Sequence, residues 1–277
     1  MCGACGDAGG GEGWGGSVGS GVRRRVVCRV SLMTRNVVIS GGGTGIGLAV
    51  ARVFAAGGDR VLLVGRRKEV LERAGVSGGL VCAADLGGVE GVREVARVVD
   101  RELGGVDVLV HAAGGNGGLE TPSGSSDPLE VVAHEWGVNF RSNTLTAVLL
   151  TEALKERVSS GGRVLFVSSI AAYRGSGSGA YAASKAALHP YAHDLARQLG
   201  PRGITVNVVA PGYIEDTEFF GGAMAEERRE RLVGETSNGR AGTPEDVAGT
   251  LYWLASAGAG HVTSQVVQVN GGAERGH

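Results

Sequence analysis

The stretch that decides the fold is Ser40-Gly41-Gly42-Gly43-Thr44-Gly45-Ile46-Gly47. It follows the apolar segment Asn36–Ser40, which is typical of a buried strand, and precedes an apolar helical pattern over Leu48–Ala56. Glycines in such a turn let backbone N–H groups approach a pyrophosphate, and the helix N-terminus adds a favourable dipole. A glycine cluster alone is weak evidence in a chain with 51 glycines. Its place between a strand and a helix, however, predicts a dinucleotide-binding turn, although the spacing is not G-x-G-x-x-G.

The same alternation of strand and helix continues along the chain. The strand-like segments are rich in Val, Ile and Leu at consecutive positions, which is typical of strands covered on both faces. We therefore predict a single-domain α/β fold, a Rossmann-like doubly wound parallel sheet with helices on both faces. The predicted strands are Asn36–Ser40, Arg60–Val64, Leu80–Ala83, Val106–His111, Arg163–Ser168, Thr205–Ala210 and Val266–Val269. The predicted helices are Leu48–Ala56, Lys68–Ala74, Val89–Leu103, Trp136–Val158, Ala180–Leu199 and Pro244–Ser256.

Composition excludes several classes of protein. The chain has 277 residues, 43% of them hydrophobic, which is enough for one domain with a substantial core. The net charge of -1 gives no electrostatic indication of nucleic-acid or anionic-membrane binding. The four cysteines are sparse and are typical of reduced thiols in a cytoplasmic protein. Cys2 and Cys5 form a C-x-x-C without a second pair, so we expect no metal site.

The first 33 residues differ from the rest. They are rich in glycine, contain a cluster of arginines from Arg23 to Arg25, and show little periodicity. Such a segment cannot bury enough apolar surface to offset the entropy of ordering. We predict that residues 1–33 are a disordered extension, or the product of a misplaced start, and that the domain comprises residues 34–277.

The second predicted strand ends at Val64-Gly65-Arg66-Arg67. An NAD site usually has an acidic residue here to bind the ribose hydroxyls, whereas an arginine accommodates a 2′-phosphate. Gly65 removes the carboxylate, so Arg66 and Arg67 favour NADP(H). The alternatives are a solvated basic turn and an NAD(H) site.

Tyr181 and Lys185 lie four positions apart in a predicted helix, so their side chains share one face. Lysine occurs only at Lys68, Lys155 and Lys185, which makes this spacing harder to attribute to chance. A carbonyl that receives a hydride needs a proton donor and a group that stabilises the oxygen. A lysine cation favours the phenolate, so we predict a lowered tyrosine pKa in the oxidised complex.

In their order, these motifs resemble the short-chain dehydrogenase/reductase family across roughly residues 34–273. Any one of the motifs is common, but the ordered set is specific. The matching residues are Gly41, Gly45 and Gly47; Asp85; His111-Ala112-Ala113-Gly114; Asn143; Ser168-Ser169; Tyr181-x-x-x-Lys185; and Pro211-Gly212.

The resemblance implies a site. Tyr181 would be the general acid/base, Lys185 would also bind the nicotinamide ribose, Asn143 would hold a relay water, and Ser169 would hydrogen-bond the substrate oxygen. It also implies a homotetramer or homodimer. The implied cofactor-binding residues are Ser40, Gly41, Thr44, Gly45, Ile46, Gly47, Arg66, Arg67, Asp85, Leu86, Ala112, Ala113, Gly114, Tyr181, Lys185, Pro211, Gly212 and Ile214.

The chain also departs from the family pattern. His111 and Ala112 replace two asparagines, and the stretch from Ser169 to Tyr181 is one residue short. Ser168 is therefore an alternative to Ser169, and Asn139 an alternative to Asn143. Pro190 is expected to kink the helix one turn beyond Lys185. His189 and His193, four apart, are expected to pack or face solvent, because no third metal ligand is evident.

The substrate is only loosely specified. Residues 212–235 resemble the family's substrate lid, with Phe219-Phe220 as an apolar wall or core, and with Glu226–Arg231 as a solvated helix face. We predict an NADP(H)-dependent ketoreductase or alcohol dehydrogenase acting on an apolar ketone or secondary alcohol, with 3-oxoacyl or polyketide-like compounds as one form. The alternatives are an NAD-dependent alcohol or hydroxysteroid-type dehydrogenase, and a non-catalytic nucleotide-sensing homologue. A nucleotide-sugar epimerase is disfavoured by the short C-terminus.

Overall fold

Residues 34–117, 123–220 and 224–275 are described by the computed structural model of this chain. Strands and helices alternate along them from Asn36 to Val269. The strands are β1 Asn36–Ser40, β2 Arg60–Gly65, β3 Leu80–Ala83, β4 Val106–His111, β5 Val158–Val167, β6 Thr205–Pro211 and β7 Gln265–Val269. The helices are α1 Gly45–Ala56, α2 Lys68–Arg73, α3 Val89–Val98, α4 Pro128–Asn139, α5 Thr146–Leu154, α6 Ala171–Arg174, α7 Gly179–Ala186, α8 Leu188–Leu199, α9 Glu226–Gly234 and α10 Pro244–Leu254.

The strands form one parallel sheet in the order β3-β2-β1-β4-β5-β6-β7. Successive residues of a strand point to opposite faces, so β1 contributes Val38 to one core and Val37 and Ile39 to the other. Both cores are buried because helices cover both faces. The predicted doubly wound parallel sheet is confirmed.

The strand order reverses beside β1. From β1 the chain proceeds to β2 and β3 on one side, and β4 then pairs with the other side of β1. Ser40 and His111 are register partners at the carboxyl ends of these two central strands. Open α/β sheets bind ligands in the crevice at such a switch point, so the glycine turn and the segment after His111 begin side by side at its floor.

The long helix before β5 differs from the prediction of Trp136–Val158. It begins earlier, at Pro128, because Asp127 caps the backbone N–H of Leu129 at 2.8 Å and proline suits the first helical turn. It passes through a π-helical turn at Phe140–Leu145 and ends at Leu154. β5 then starts at Val158, five residues before the predicted Arg163.

The predicted helix Ala180–Leu199 is divided in two. α7 ends at Ala186 and α8 begins at Leu188, with Ala187 between them. Pro190 has no N–H to donate to the carbonyl of Ala186, and its ring crowds that carbonyl. The break therefore falls two residues after Lys185, closer to it than the kink predicted one turn beyond.

Two sequence predictions concern the extent of the chain and membranes. The extension at residues 1–33 lies outside the described residues. In the described part of the chain, no helix is both long enough and apolar enough to cross a bilayer.

Candidate active site

A cavity of about 1060 Å³ runs along the carboxyl ends of the strands. At one end it is walled by the glycine turn after β1 and by the basic turn after β2, and at the other by α6 and α9. Every residue expected to bind the cofactor lines this cavity except Ser40. Ser40 is buried behind the wall, and its hydroxyl accepts a hydrogen bond from the N–H of Ala113 at 3.2 Å. It therefore positions the Ala112–Gly114 segment.

The glycine turn packs tightly against the start of α1. A Cβ at Gly47 would overlap the carbonyl oxygen of Gly41, so the helix could not approach the turn this closely with any other residue. The backbone N–H of Gly41 donates to Val64 of β2 at 2.8 Å, which fixes the turn against the sheet. The turn and the N-terminus of α1 thus form a cradle of the kind that binds the pyrophosphate of a dinucleotide.

The basic turn after β2 faces the same end of the cavity. Arg66 and Arg67 line it. Arg67 forms an ion pair with Glu218 at 2.8 Å, and the hydroxyl of Thr44 lies 3.4 Å from the same carboxylate oxygen. Glu218 therefore joins the glycine turn and the basic turn, which are distant in sequence. The end of the cavity between these two turns is called the nucleotide end below.

Asp85 and Leu86 continue the wall after β3. The Asp85 carboxylate accepts a hydrogen bond from the N–H of Gly87 at 3.0 Å and one from the guanidinium of Arg141 at 3.1 Å. The bond from Gly87 and, to a smaller extent, that from Arg141 hold the pKa of Asp85 below its usual value. Asp85 is thus fixed as an anionic acceptor beside the nucleotide end.

Tyr181 lies in the middle of the cavity, on α7. The hydroxyl of Ser178 accepts a bond from the Tyr181 N–H and caps the helix. The Tyr181 ring is buried, and Ser169 lies beside its hydroxyl. Burial raises the pKa of Tyr181 to about 12, and the interaction with Ser169 offsets only part of that rise.

Lys185 is buried one turn further along α7. Its ammonium donates to the carbonyl of Val167 at 2.9 Å, and burial lowers the pKa of Lys185 to about 8. The sequence predicted a lowered tyrosine pKa in the oxidised complex, where the nicotinamide ring adds its positive charge to that of Lys185. In the protein alone, burial raises the pKa of Tyr181.

The two serines after β5 have different surroundings. Ser169 contacts Tyr181, and its oxygen also accepts the N–H of Ala171 at 3.1 Å. Ser168 is buried, donates to the carbonyl of Lys185 at 3.1 Å, and shares a 2.8 Å hydrogen bond with Nε2 of His189. Of the two serines, it is Ser169 that interacts with the tyrosine hydroxyl.

Asn143 lies in the π-helical turn and is buried behind the cavity wall. Its carboxamide accepts from the N–H of Gly115 at 3.0 Å and donates to the carbonyl of Gly115 at 2.9 Å. It also donates to Ser184 of α7 at 3.1 Å. Asn139, the rival residue, bonds instead to the N–H of Gly117 at 3.2 Å, farther along the loop.

Gly114 is where these groups meet. Its φ is +152°, and an added Cβ would overlap Oδ1 of Asn143 and lie 2.9 Å from Nζ of Lys185. The asparagine and the lysine thus both approach Gly114 at the position where a Cβ would lie. Only a glycine allows that convergence.

The histidines are engaged in structural contacts. His111 is stacked on Phe166 with ring centroids 4.6 Å apart, and its Nε2 bonds the hydroxyl of Thr151 at 2.9 Å. Burial lowers the pKa of His111 to about 3. Nδ1 of His193 bonds Ser264 at 2.8 Å. In the described ranges, no group of three or more His, Cys, Asp or Glu residues could hold a metal ion.

Several described residues of the segment 212–235 line the cavity, and Pro211, Gly212 and Ile214 line the wall where the segment starts. The chain turns sharply at Asp216, which has φ of +57°. The Phe219 ring lies against that of Tyr181 with centroids 5.2 Å apart. Residues 221–223 and the side chain of Phe220 lie outside the described part.

Several cavity residues were missed from the sequence. Glu218, Arg141 and Arg174 line the cavity, but nothing in their local spacing signals it. Arg228 and Arg231 also line it, although the run that contains them was interpreted as a solvated face. Their i, i+3 spacing is the one signal that could have placed both on a single helix face.

Comparison with known proteins places this fold and cavity in a family. Residues 41–274 match the family model described as enoyl-(acyl carrier protein) reductase. The chain belongs to the short-chain dehydrogenase/reductase family, and it is an NAD(P)-dependent oxidoreductase.

Its relatives include several reductases. It is 33% identical to nodulation protein G of Rhizobium sp. (strain N33), over 87% of this chain and 97% of that protein. It is 32% identical to carbonyl reductase family member 4 of Danio rerio, over 87% and 98%. It is 31% identical to the 3-oxoacyl-[acyl-carrier-protein] reductase FabG of Escherichia coli (strain K12), over 85% and 95%.

A solved structure has the same fold. It is the short-chain dehydrogenase/reductase SDR:Glucose/ribitol dehydrogenase from Brucella melitensis, which superimposes with a TM-score of 0.74. It is 26% identical, and the match covers 87% of this chain and 97% of that one.

Proposed function

We propose that this protein is an NADP(H)-dependent ketoreductase that interconverts a ketone and a secondary alcohol. The observation that carries the proposal is that Ser169 and the buried Lys185 lie beside Tyr181, in the cavity that also contains the glycine turn. A proton donor, an oxygen-binding hydroxyl and a dinucleotide cradle are the parts that carbonyl reduction requires.

Each catalytic residue has a role that fits its contacts. The Tyr181 hydroxyl donates a proton to the carbonyl oxygen, and Ser169 hydrogen-bonds the same oxygen. Lys185 stabilises the phenolate that remains and binds the ribose. Asn143 holds the backbone around Gly115 and Ser184, and a water next to it would connect the tyrosine to solvent. The nicotinamide cofactor supplies the hydride.

The ionisation of Tyr181 favours the reductive direction. With its pKa raised to about 12, the tyrosine is neutral at physiological pH, which is the form that can donate a proton. Alcohol oxidation needs the phenolate instead. The positive charge of the oxidised nicotinamide ring would add to that of Lys185 in stabilising it.

The choice of NADP(H) rests on the basic turn. Gly65 offers no carboxylate to a ribose, and Arg66 and Arg67 face the nucleotide end of the cavity. The glycine cradle and the arginines are compatible with an adenosine 2′-phosphate, and Asp85 would contact the adenine. The NAD-dependent alternative, an alcohol or hydroxysteroid-type dehydrogenase, would use the same tyrosine and serine.

The substrate would be a small ketone, with 3-oxoacyl or polyketide-like compounds as one form. Two relatives are named 3-oxoacyl-[acyl-carrier-protein] reductases, FabG and MabA. Residues 212–235 would act as a lid over this substrate. The cytoplasmic location and the homotetramer or homodimer remain predictions from the sequence.

The test is oxidation of NADPH and of NADH, followed at 340 nm, against a panel of ketones and 3-oxoacyl thioesters. We expect turnover with at least one ketone and a higher kcat/KM with NADPH. Turnover with NADH alone would favour the NAD-dependent alternative. Tight NADPH binding without turnover of any ketone would favour the non-catalytic nucleotide-sensing homologue.

A further inference from the structure

The end of the cavity beyond Tyr181 is rich in arginine. Its walls come from the C-terminal end of α6 and from α9 of the lid. Charged side chains that line it are Arg174, Arg228, Arg231 and Glu235. Three guanidinium groups and one carboxylate give this end a positive balance, which a neutral ketone does not require.

The helical spacing of α9 places its charged side chains on different faces of the helix. Arg228 and Arg231 are three residues apart and share the face that lines the cavity, followed by Leu232 and Glu235. Arg229 lies off this face, where it pairs with Glu226 at 3.2 Å and Glu215 at 3.4 Å. None of the three glutamates of the run lines the cavity; they are Glu226, Glu227 and Glu230.

The ion pairs leave positive charge at the cavity. Arg174 pairs with Glu235 at 2.5 Å, and both side chains are about one-third exposed. That pair uses the only carboxylate at this end among the lining residues. In the described part of the chain, no ion pair is found for Arg231. The lid thus presents positive charge to whatever occupies the cavity beside Tyr181.

We propose that the carbonyl substrate carries an anionic group, a carboxylate or a phosphate, which binds Arg231 and Arg228 while its ketone lies at Tyr181. The guanidinium fork matches both anions, because it can donate two parallel hydrogen bonds to them. This inference rests on the proposed ketone reduction and adds the chemical class of its substrate. Glu235 weakens the site by competing for Arg174 and by repelling the anion.

The first experiment compares anionic ketones with neutral partners that carry the same ketone group. kcat/KM with NADPH would be measured for 5-oxohexanoate against its methyl ester, and for hydroxyacetone phosphate against hydroxyacetone. In at least one of the two pairs, we expect kcat/KM for the anion to exceed kcat/KM for its neutral partner by about tenfold. This ratio is the equivalent of one charge-assisted hydrogen bond. The gain should appear mainly in KM, because a remote anion binds equally in the ground and transition states. The pair with the larger ratio identifies the carboxylate or the phosphate as the source.

The second experiment changes the charges one at a time. The anion preference is the ratio of kcat/KM for the anionic ketone to that for its neutral partner. Arg231→Gln is expected to reduce this ratio to about threefold or less, and Glu235→Gln is expected to raise it about threefold. The two changes act in opposite directions because one removes a positive charge and the other a negative charge. Arg229→Gln is the matched control on the same helix, and its preference should equal that of the wild type. Bound NADPH fluorescence verifies that every variant is folded.

The outcomes separate this inference from the function on which it rests. Efficient reduction of neutral ketones with no gain from the anion would overturn the anion site and leave the ketoreductase intact. An equal fall in Arg231→Gln and Arg229→Gln would also overturn it, because general electrostatics would then explain the preference. Absence of turnover with every ketone would overturn both.

Discussion

The carboxylate of Glu218 accepts a hydrogen bond from the guanidinium of Arg67 at 2.8 Å, although the two residues are 151 positions apart. The segment that contains Glu218 and Phe219 thereby contacts the nucleotide end of the cavity through Glu218 and the Tyr181 ring through Phe219. Both partners are more than half exposed, at 56% and 61%, so the pair is weak and can exchange with solvent or a ligand.

If Arg67 binds the 2′-phosphate, Glu218 competes with it. We expect Glu218→Gln to lower KM for NADPH by about threefold and to leave KM for NADH unchanged, in line with the small free energy of an exposed pair. Steady-state kinetics with both cofactors measure this, with Glu226→Gln as a lid control whose carboxylate pairs outside the cavity. Equal gains for both cofactors would contradict a phosphate-specific competition.

Arg66 lines the same end of the cavity and is expected to discriminate between the cofactors. Arg66→Ala should raise KM for NADPH by about tenfold or more and change that for NADH little, because the loss is one charge-assisted contact to phosphate. Arg73→Ala, on the neighbouring helix α2, serves as the control. Equal losses for NADPH and NADH would refute the 2′-phosphate role.

The proton-donor role of Tyr181 predicts a separation of binding from chemistry. Tyr181→Phe keeps the ring against Phe219 but removes the hydroxyl, so NADPH should still bind, while kcat falls by about 100-fold or more. Stopped-flow turnover and NADPH fluorescence give the two readouts. Tyr191→Phe, outside the cavity wall, is the matched control. Normal turnover in Tyr181→Phe would disprove the mechanism.

Replacement of Ser169 should mainly affect catalysis, whereas replacement of Ser168 should mainly affect stability. Ser169→Ala is expected to lower kcat by about 100-fold, since it removes the hydroxyl beside Tyr181 that would hydrogen-bond the substrate oxygen. Ser168→Ala should instead reduce the free energy of unfolding by about 1–3 kcal/mol, because it leaves the buried carbonyl of Lys185 without that donor. Kinetics and urea unfolding of both variants test this, and the reverse assignment would make Ser168 the catalytic serine.

The burial of His111 predicts that the protein loses stability as the pH is lowered. Its pKa is about 3 in the folded protein and near the ordinary 6.5 when unfolded, so between these values only the unfolded chain gains the proton. Its contribution to stability is therefore full above pH 6.5 and falls by about 1.4 kcal/mol per pH unit as the pH is lowered towards 3. Urea unfolding between pH 7 and 5 should show this slope reduced in His111→Asn. The exposed His261→Asn should keep it, and an unchanged slope in His111→Asn would argue against a buried neutral imidazole.

Local patterns predicted the features that depend on local physics. Runs of Val, Ile and Leu predicted the buried strands, and the glycines between a strand and a helix predicted the turn. The four-residue spacing of Tyr181 and Lys185 predicted their shared face, because an α-helix repeats every 3.6 residues. The parallel sheet then follows from the alternation of strand and helix. These features place the cavity before any tertiary contact is known.

Tertiary contacts determined the rest. The contact between Glu218 and Arg67 joins segments far apart in sequence, and no spacing reveals it. The choice between Ser168 and Ser169 depends on which hydroxyl points at Tyr181, and a one-residue gap in the sequence leaves it open. The raised pKa of Tyr181 depends on burial, which acts against the neighbouring cation that the sequence displays. Arg231 appeared solvated because its neighbours in sequence are acidic, whereas its helix face lines the cavity.

The break at Ala187 has a consequence for precision. α7 is only eight residues long, is capped by the Ser178 hydroxyl at its start, and ends before Pro190 can distort it. Tyr181 and Lys185 therefore both lie on this short helix, which the turn at Ala187 separates from the twelve-residue α8. A bend at Ala187 would move α8 without changing the distance between the phenol and the ammonium, because both groups lie on the same side of the turn.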